Sequence, residues 1–260
     1  MSRRDAYRGE TEIIVFGRHP VDEAIGSAGA EVLEVKIARG QSAAERRALR
    51  GRCHSVDLPF QEVSRGALSD FTRADRHDQG VAARVRLRNV MEVDAFVELG
   101  RGRAARDASR LMALDGVTNS QNVGMVVRSV VGAGLNGLLW PLAGQPWVNG
   151  LVVRAAVGAI FECPIVTCET LPIGLAALQG AGYTALGLDA GATKSVFEIP
   201  PPHRGVYIMG SESVGIGEDV RAMLDERVAI PMAGPLESLN VAVAAGLVAF
   251  HAGGLLGGAG

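Results

Sequence analysis

Short apolar runs alternate with amphipathic stretches along almost the whole chain, and this pattern predicts strands that alternate with helices. Alternation of this kind over the first third is typical of a small α/β domain. In that third, the sequence predicts strands over residues 13–16, 32–37, 58–63 and 81–87, and helices over 20–27, 42–54 and 64–71.

From residue 111 onward the alternation continues. Strands that are separated by helices favour a parallel sheet with helices on both faces, so we predict an α/β protein with two domains. The predicted strands of this second region are 111–116, 137–141, 165–167, 183–188, 206–210 and 227–230, and the predicted helices are 120–131, 149–159, 171–181, 219–224 and 238–251.

A charged segment separates the two regions. Residues 89–106 carry Glu, Asp and Arg with few apolar positions, and we predict that they form a helical linker. This linker would join an N-terminal domain at residues 12–88 to a larger domain at 107–260. Residues 1–11 are polar and precede the first predicted strand, so we expect a flexible tail there.

The composition indicates a globular protein. The 260 residues are 48% hydrophobic and 21% charged, which is sufficient for a sizeable core. The three cysteines include no C-x-x-C pair and the histidines show no metal-ligand spacing, so we expect reduced thiols and no metal site. The sequence shows no secretory signal and no apolar run near the ~18 residues of a membrane span, which favours a cytoplasmic protein without membrane association.

The charge is unevenly distributed along the chain. Residues 1–90 contain 16 Lys and Arg against 13 Asp and Glu, whereas residues 107–260 contain 7 against 12. Almost all of the positive charge is arginine, whose guanidinium group suits phosphate. A weakly basic N-terminal third is compatible with nucleic-acid binding, and ordinary solvated arginines explain it equally well.

The stretch 230–246 (IPMAGPLESLNVAVAAG) predicts a pocket. Pro231 ends a short apolar run, and a Gly-Pro pair predicts a turn. Ser238 and Asn240 then precede a run of Ala and Val, where small polar side chains cap a helix. A sharp turn that leads into a helix N-terminus leaves backbone donors and acceptors available, and such a pocket suits an uncharged ring or the edge of an adenosine.

A second candidate lies on the predicted helix 120–131. Asn122, Met125 and Arg128 are spaced by three residues, and we expect them near one face of the helix. Arg128 is the only charged residue in 121–134. A lone arginine on a largely apolar helix indicates a polar ligand; the alternative is an arginine that pairs on the protein surface.

Two glycine-rich segments are interpreted differently. Residues 210–215 (GSESVG) follow a predicted strand, where parallel α/β sheets bind ligands, although a plain connecting loop fits equally well. Residues 132–137 (GAGLNG) match the dinucleotide motif G-x-G-x-x-G but follow a helix and precede a strand. We interpret this second segment as a helix C-terminal turn, which disfavours a nucleotide-dependent oxidoreductase.

Three of these stretches, in this order, resemble the motifs of the SpoU (TrmH-like) family of SPOUT RNA ribose 2′-O-methyltransferases. The family motifs are N-x-G-x-x-x-R, G-x-E-x-x-G and I-P-M-x-G-x-x-x-S-L-N-V. They are matched here by Asn122, Gly124 and Arg128, by Gly210, Glu212 and Gly215, and by Ile230 through Ser238, Leu239 and Asn240.

The first third resembles the L30e-like RNA-binding domain of the same family. Segments 16–21 (FGRHPV) and 77–83 (HDQGVAA) fall where its two characteristic segments fall, so the resemblance covers nearly the whole chain. The chain departs from the family pattern at 119–120, where Asn-Ser replaces Asp-Pro, at Ala242, which replaces Ser, and at Asp78, which is inserted. None of these departures removes a motif residue.

The resemblance implies a C-terminal parallel sheet with a deep trefoil knot, a homodimer, and S-adenosylmethionine as the cofactor. By the same resemblance, the cofactor contacts fall on Gly210, Ile230 and Leu239. The implied catalytic set is Arg128, Asn122, Glu212, Ser238 and Asn240.

The implied reaction is methylation of a ribose 2′-hydroxyl in RNA, and the L30e-like domain favours large-subunit ribosomal RNA as the substrate. Transfer RNA, or a non-catalytic RNA-binding protein of the same fold, are the alternatives. The family assigns removal of the hydroxyl proton to the motif arginine, here Arg128. Because a free guanidinium stays protonated at neutral pH, we expect Arg128 also to clamp a phosphate or the developing alkoxide.

Overall fold

The computed structural model describes residues 11–74, 78–101, 108–236 and 238–256. The predicted tail at 1–11 therefore lies outside the described residues except for Thr11, and His77 lies outside them as well. Thr11 accepts the backbone N–H of Leu87 through its carbonyl oxygen at 3.0 Å, so this residue already belongs to the folded domain.

The secondary structure confirms the α/β class. The strands are β1 (Glu12–Phe16), β2 (Ala30–Ala38), β3 (Phe60–Val63), β4 (Val81–Leu87), β5 (Val90–Glu92), β6 (Ser109–Asp115), β7 (Gly137–Pro141), β8 (Ile165–Cys168), β9 (Thr184–Leu188), β10 (Arg204–Gly210) and β11 (Glu226–Val228). The helices are α1 (Arg18–Gly26), α2 (Ala43–Ser55), α3 (Arg65–Thr72), α4 (Val93–Arg101), α5 (Ser120–Gly132), α6 (Gly150–Ala156), α7 (Ala159–Glu162), α8 (Leu171–Gly180), α9 (Glu218–Arg221) and α10 (Val241–Ala252).

The chain divides into two compact units, one within Met1–Asn89 and Val148–Glu162, the other within Val90–Trp147 and Cys163–Gly260. The first unit contains a four-stranded sheet in the order β1-β4-β2-β3, with β4 antiparallel to both neighbours. Helix α2 begins at a capping box: the Ser42 hydroxyl accepts the N–H of Glu45, whose carboxylate accepts the N–H of Ser42.

The segment 148–162 belongs to the first unit, although the sequence predicts it as a helix of the larger domain. The reason is a close approach between α6 and β1: a Cβ atom at Gly150 would overlap the Phe16 ring. The predicted helix 149–159 is also interrupted, because Val157 adopts a left-handed conformation with φ of 49° and ends α6.

The second unit is built on a seven-stranded sheet in the order β11-β9-β10-β6-β7-β8-β5. Every pairing in this sheet is parallel, which confirms the predicted parallel architecture. Every residue of β7 and β8 is buried, as expected of central strands covered on both faces. The deep trefoil knot stays a prediction.

The predicted linker at 89–106 differs from the structure. Val90–Glu92 form β5, which pairs with β8 at the edge of the large sheet, and Val93–Arg101 form α4. A three-residue edge strand is too short to show an alternating pattern in the sequence. Residues 102–107 lie outside the described residues.

The glycine-rich turn after α5 is confirmed as a helix C-terminus. Gly134 has φ of 69°, and its N–H donates to the carbonyl of Val131 at 3.0 Å. The N–H of Leu135 donates to the carbonyl of Val130 at 3.0 Å, which completes a Schellman motif. Among the described residues, no helix is both long and apolar enough to span a membrane.

Candidate active site

A cavity of about 220 Å³ lies at the carboxyl ends of β9 and β10 in the second unit. This is the edge at which parallel α/β sheets place their ligands. The stretch 230–246 and the loop after β10 form much of its wall. Among the residues that line it are Gly210, Glu212, Ile230, Ser238 and Leu239.

The loop after β10 is held in a tight turn. The N–H of Ser211 donates to the carbonyl of Gly215 at 3.1 Å, and the N–H of Gly215 donates back to Ser211 at 2.9 Å. A Cβ atom at Gly210 would overlap the backbone carbon of Gly215, and Gly215 itself has φ of 73°. Both glycines of this motif are therefore required by the turn.

Two asparagines start α5 and α10. Asn119 Oδ1 accepts the N–H of Gln121 at 2.9 Å and begins α5. Asn240 Oδ1 accepts the N–H of Ala242 at 3.0 Å and begins α10. The last helix thus starts at 241 rather than at the predicted 238, because Asn240 and not Ser238 occupies the capping position.

Asn122, Glu212 and Asn240 meet in a polar cluster, which we call the amide–carboxylate cluster. Glu212 Oε1 accepts from Asn240 Nδ2 at 2.7 Å, from Asn122 Nδ2 at 3.1 Å and from the Val241 N–H at 3.4 Å. Asn240 Nδ2 also donates to Asn122 Oδ1 at 3.3 Å. The carboxylate of the second motif thereby orients residues of the first and third motifs, which are far apart in the sequence.

Arg128 does not join this cluster. Asn122 is buried while Met125 and Arg128 are exposed, so the expected common face is wrong. The error is geometric: with 3.6 residues per turn, two steps of three residues rotate a side chain by about 120° around the helix. Within the described part of the chain, Arg128 forms no hydrogen bond or ion pair.

Sequence reasoning missed Asp189, which lines the cavity at the end of β9. Its Oδ1 accepts the N–H of Gly191 at 3.0 Å, and its Oδ2 faces Arg221 Nη1 at 3.2 Å and Arg227 Nη1 at 3.4 Å. The signal that could have found it is its position directly after the predicted strand 183–188, at the carboxyl edge of the sheet.

The residues that line the cavity suit a ligand with an uncharged ring and attached polar groups. Ile230, Leu239 and Ala244 offer apolar walls, and Asp189 and Ser238 offer polar atoms. Such a mixture of apolar walls with a few polar groups is typical of small-molecule sites. In the described residues, no group of three His, Cys, Asp or Glu side chains is placed to hold a metal ion.

Comparison with protein families gives two matches. A model of the SpoU rRNA Methylase family matches residues 109–250, and a model of RNA 2′-O ribose methyltransferase substrate binding matches residues 14–91. An uncharacterized tRNA/rRNA methyltransferase of Mycobacterium ulcerans is 35% identical over 242 residues, which cover 92% of this chain and 76% of the relative.

Comparison with solved structures gives the same fold. The SpoU methyltransferase AviRb from Streptomyces viridochromogenes, crystallised in complex with AdoMet, superposes with a TM-score of 0.75 at 23% identity and covers 97% of this chain and 93% of its own. A structure concerned with 2-OH methylation of C/U34 on tRNA has a TM-score of 0.51 at 28% identity, covering 57% of this chain and 97% of its own.

Proposed function

The chain belongs to the SpoU family of S-adenosylmethionine-dependent RNA methyltransferases, and on that premise we propose that it methylates a ribose 2′-hydroxyl of ribosomal RNA. The observation that carries the proposal is the amide–carboxylate cluster on the wall of the cavity. Its amide groups are fixed by Glu212, and Asn240 also caps α10, so this wall of the cavity can receive a hydroxyl nucleophile without reorganising during the reaction.

The cofactor would be held in the cavity at the ends of β9 and β10. Gly210, Ile230 and Leu239 line this cavity and would hold the cofactor there. When bound, S-adenosylmethionine supplies an electrophilic methyl group on a sulfonium. Ser238 lies in the same wall and contributes a hydroxyl for hydrogen bonding to the cofactor or the ribose.

Arg128 acts on a group that comes from outside the described chain. Its guanidinium is exposed, is the only charged group of α5, and has no partner among the described residues. A permanently protonated guanidinium stabilises negative charge well and removes protons poorly. Arg128 therefore holds a phosphate of the RNA or the developing alkoxide, and the hydroxyl proton is released to water.

The active form is a homodimer. Helices α5 and α10 lie side by side, with Gly132 close to the Phe250 ring and Gly246 close to Ser129. Their outer surface carries Met125, Val243 and Phe250, which are 40%, 54% and 36% exposed. An apolar surface of this kind marks a protein interface, and α10 is apolar on every side, as expected of a helix covered all round.

Ribosomal RNA is favoured over transfer RNA by the description of the matching family, SpoU rRNA Methylase. Transfer RNA is the second candidate, because one structural relative above 25% identity concerns methylation of a tRNA nucleotide. The two substrates are distinguished by experiment, since both present the same ribose hydroxyl to the same site.

The test measures transfer of labelled methyl from S-adenosylmethionine to unmodified ribosomal and transfer RNA, followed by nuclease digestion to nucleosides. We expect a 2′-O-methylnucleoside from ribosomal RNA, and its loss with Arg128→Ala. Cofactor affinity, measured by calorimetry, should be the same for Arg128→Ala and the parent protein, because Arg128 does not line the cavity.

Other outcomes separate the alternatives. Label in transfer RNA alone would move the substrate assignment to that class. A methyl group on a base rather than on ribose would overturn the proposed position of methylation. Cofactor binding without transfer to any RNA would favour a non-catalytic RNA-binding role.

A further inference from the structure

A second cavity lies beside the cofactor cavity at the same edge of the large sheet. It measures about 510 Å³, within the range of about 300–1,000 Å³ that is usual for ligand sites. The carboxyl ends of β6, β7 and β8 contribute to its wall. Lining residues include Asp115, Gly116, Pro141, Thr170 and Glu218.

The two cavities are separated by a thin wall. Gly116 lines the second cavity, and a Cβ atom at this glycine would lie 3.8 Å from the Ser211 Cβ. Ser211 lines the cofactor cavity and directly precedes Glu212 of the amide–carboxylate cluster. When the ribose of a nucleotide reaches the amide–carboxylate cluster, the second cavity is therefore the adjoining space that its base can enter.

Asp115 presents a fixed acceptor to this space. One oxygen, Oδ2, accepts the N–H of Gly217 at 2.7 Å, and this bond holds the carboxylate in place at the end of β6. The other oxygen, Oδ1, receives no donor from the described residues. Asp115 is half-buried and lines the cavity, so its free oxygen is available to a ligand.

The charges of the wall select the kind of ligand. Asp115, Glu218 and Asp219 line the cavity, and the described lining residues include no Lys or Arg. A phosphate is therefore disfavoured, whereas a base edge that presents N–H groups is favoured. Among RNA bases, guanine alone carries two adjacent donors, N1–H and the N2 amino group, on its Watson–Crick edge, and these match a carboxylate.

We infer that this second cavity receives the base of the methylated nucleotide, and that Asp115 selects guanine by accepting hydrogen bonds from its Watson–Crick edge. The inference rests on the proposed ribose methylation and adds a specificity-determining residue to it. A flipped base read by hydrogen bonds to its edge is the usual solution for enzymes that act on a single nucleotide.

The test uses the RNA segment in which the methylated nucleotide has been mapped, synthesised with guanosine or inosine at that position. Inosine lacks only the N2 amino group. We expect kcat/KM to fall about tenfold or more for inosine with the parent protein, and the difference between the two RNAs to shrink to about twofold or less with Asp115→Asn. Asparagine keeps an oxygen that accepts the Gly217 N–H, so the affinity for S-adenosylmethionine should be retained. Its amide N–H groups then face the base in place of the carboxylate oxygen.

Glu169→Gln is the matched control, because Glu169 is exposed beside the cavity without lining it. It should discriminate between the two RNAs as the parent protein does. Equal rates for guanosine and inosine with the parent protein, or a mapped nucleotide other than guanosine, would overturn the inference while ribose methylation stands. Absence of any methyl transfer to RNA would overturn both. The comparison of the two RNAs with the parent protein tests the preference for guanine even if Asp115→Asn does not fold.

Discussion

At the scale of single residues, Glu212 has the largest influence on the site. A single oxygen accepts from two asparagine amides and from the first N–H of α10. Hydrogen bonds to an ionised acceptor are about twice as strong as neutral ones. The orientation of both amides therefore depends on one exposed carboxylate.

Replacing Glu212 with Ala should lower kcat/KM for methyl transfer by about 10- to 100-fold, because each lost hydrogen bond to a charged group is worth about 1.5–3 kcal/mol. Stability should change little, since Glu212 is exposed and water can replace the carboxylate. Steady-state kinetics and urea unfolding check both parts. Ser213→Ala, an exposed change in the same loop, should leave kcat/KM unchanged; a matching loss there would indicate a general disturbance of the loop.

The Glu23 carboxylate gives a prediction about pH. Burial raises the pKa of Glu23 above its ordinary value, and the charge of the neighbouring His19 partly offsets this effect. One of its oxygens, Oε2, is buried without a hydrogen-bond partner. A raised folded-state pKa means that the unfolded chain loses this proton first, so stability falls as pH rises from the ordinary value through the folded-state value.

Glu23→Gln should therefore raise the free energy of unfolding at pH 8 and change it little at pH 4, because glutamine mimics the protonated acid. Urea unfolding at the two pH values measures the difference. Glu98→Gln removes the same charge from an exposed position of α4 and should show no comparable gain at pH 8. A larger stabilisation by Glu23→Gln at pH 4 than at pH 8 would contradict the predicted direction of the pH dependence.

Motif spacing predicted which site residues come together, and helix geometry decided which do not. Asn122, Glu212 and Asn240 meet as the motifs suggest. Arg128 points in a different direction because six residues along a helix rotate a side chain by about 120° relative to Asn122. A sequence motif gives only the spacing of its residues and does not show this rotation. Asp189 carried no motif at all, and only the position of its strand end could have identified it.

At the scale of elements, the turn after β10 depends on the absence of a side chain. Gly210→Ala would place a methyl group on the backbone of Gly215, so the turn must open. We expect affinity for S-adenosylmethionine to fall by about tenfold or more, measured by calorimetry. Gly234→Ala adds the same methyl group where nothing lies within 4 Å, and it should bind the cofactor normally.

The long, strongly patterned elements were predictable from the sequence, and the short ones were not. The pattern located β7 correctly at 137–141 because a buried parallel strand bounded by turns is distinctive. It missed β5, whose three residues owe their conformation to pairing with β8. It also could not place 148–162 in the first unit, because that assignment depends on the packing of Gly150 against Phe16.

At the scale of the whole molecule, the proposed homodimer follows from the outer surface of α5 and α10. Val243 is 54% exposed at the start of this surface, and Phe250 lies two turns further along the same helix. Single exposed apolar residues are ordinary, but exposed apolar residues on two adjacent helices favour a protein partner. A second copy of the chain offers the same surface and so can satisfy it by symmetry.

Val243→Glu should convert the dimer into a monomer at micromolar concentrations, because the symmetric contact would bury two uncompensated carboxylates. Sedimentation velocity measures the change, and circular dichroism should remain that of the folded protein. Val56→Glu is the matched control: Val56 is 52% exposed, lies in the first unit, and should leave the dimer intact. If the parent protein itself sediments as a monomer, the apolar surface serves another partner and the homodimer proposal fails. If Val243→Glu stays dimeric, the chain associates through a different surface, and α5 and α10 lose the role assigned to them.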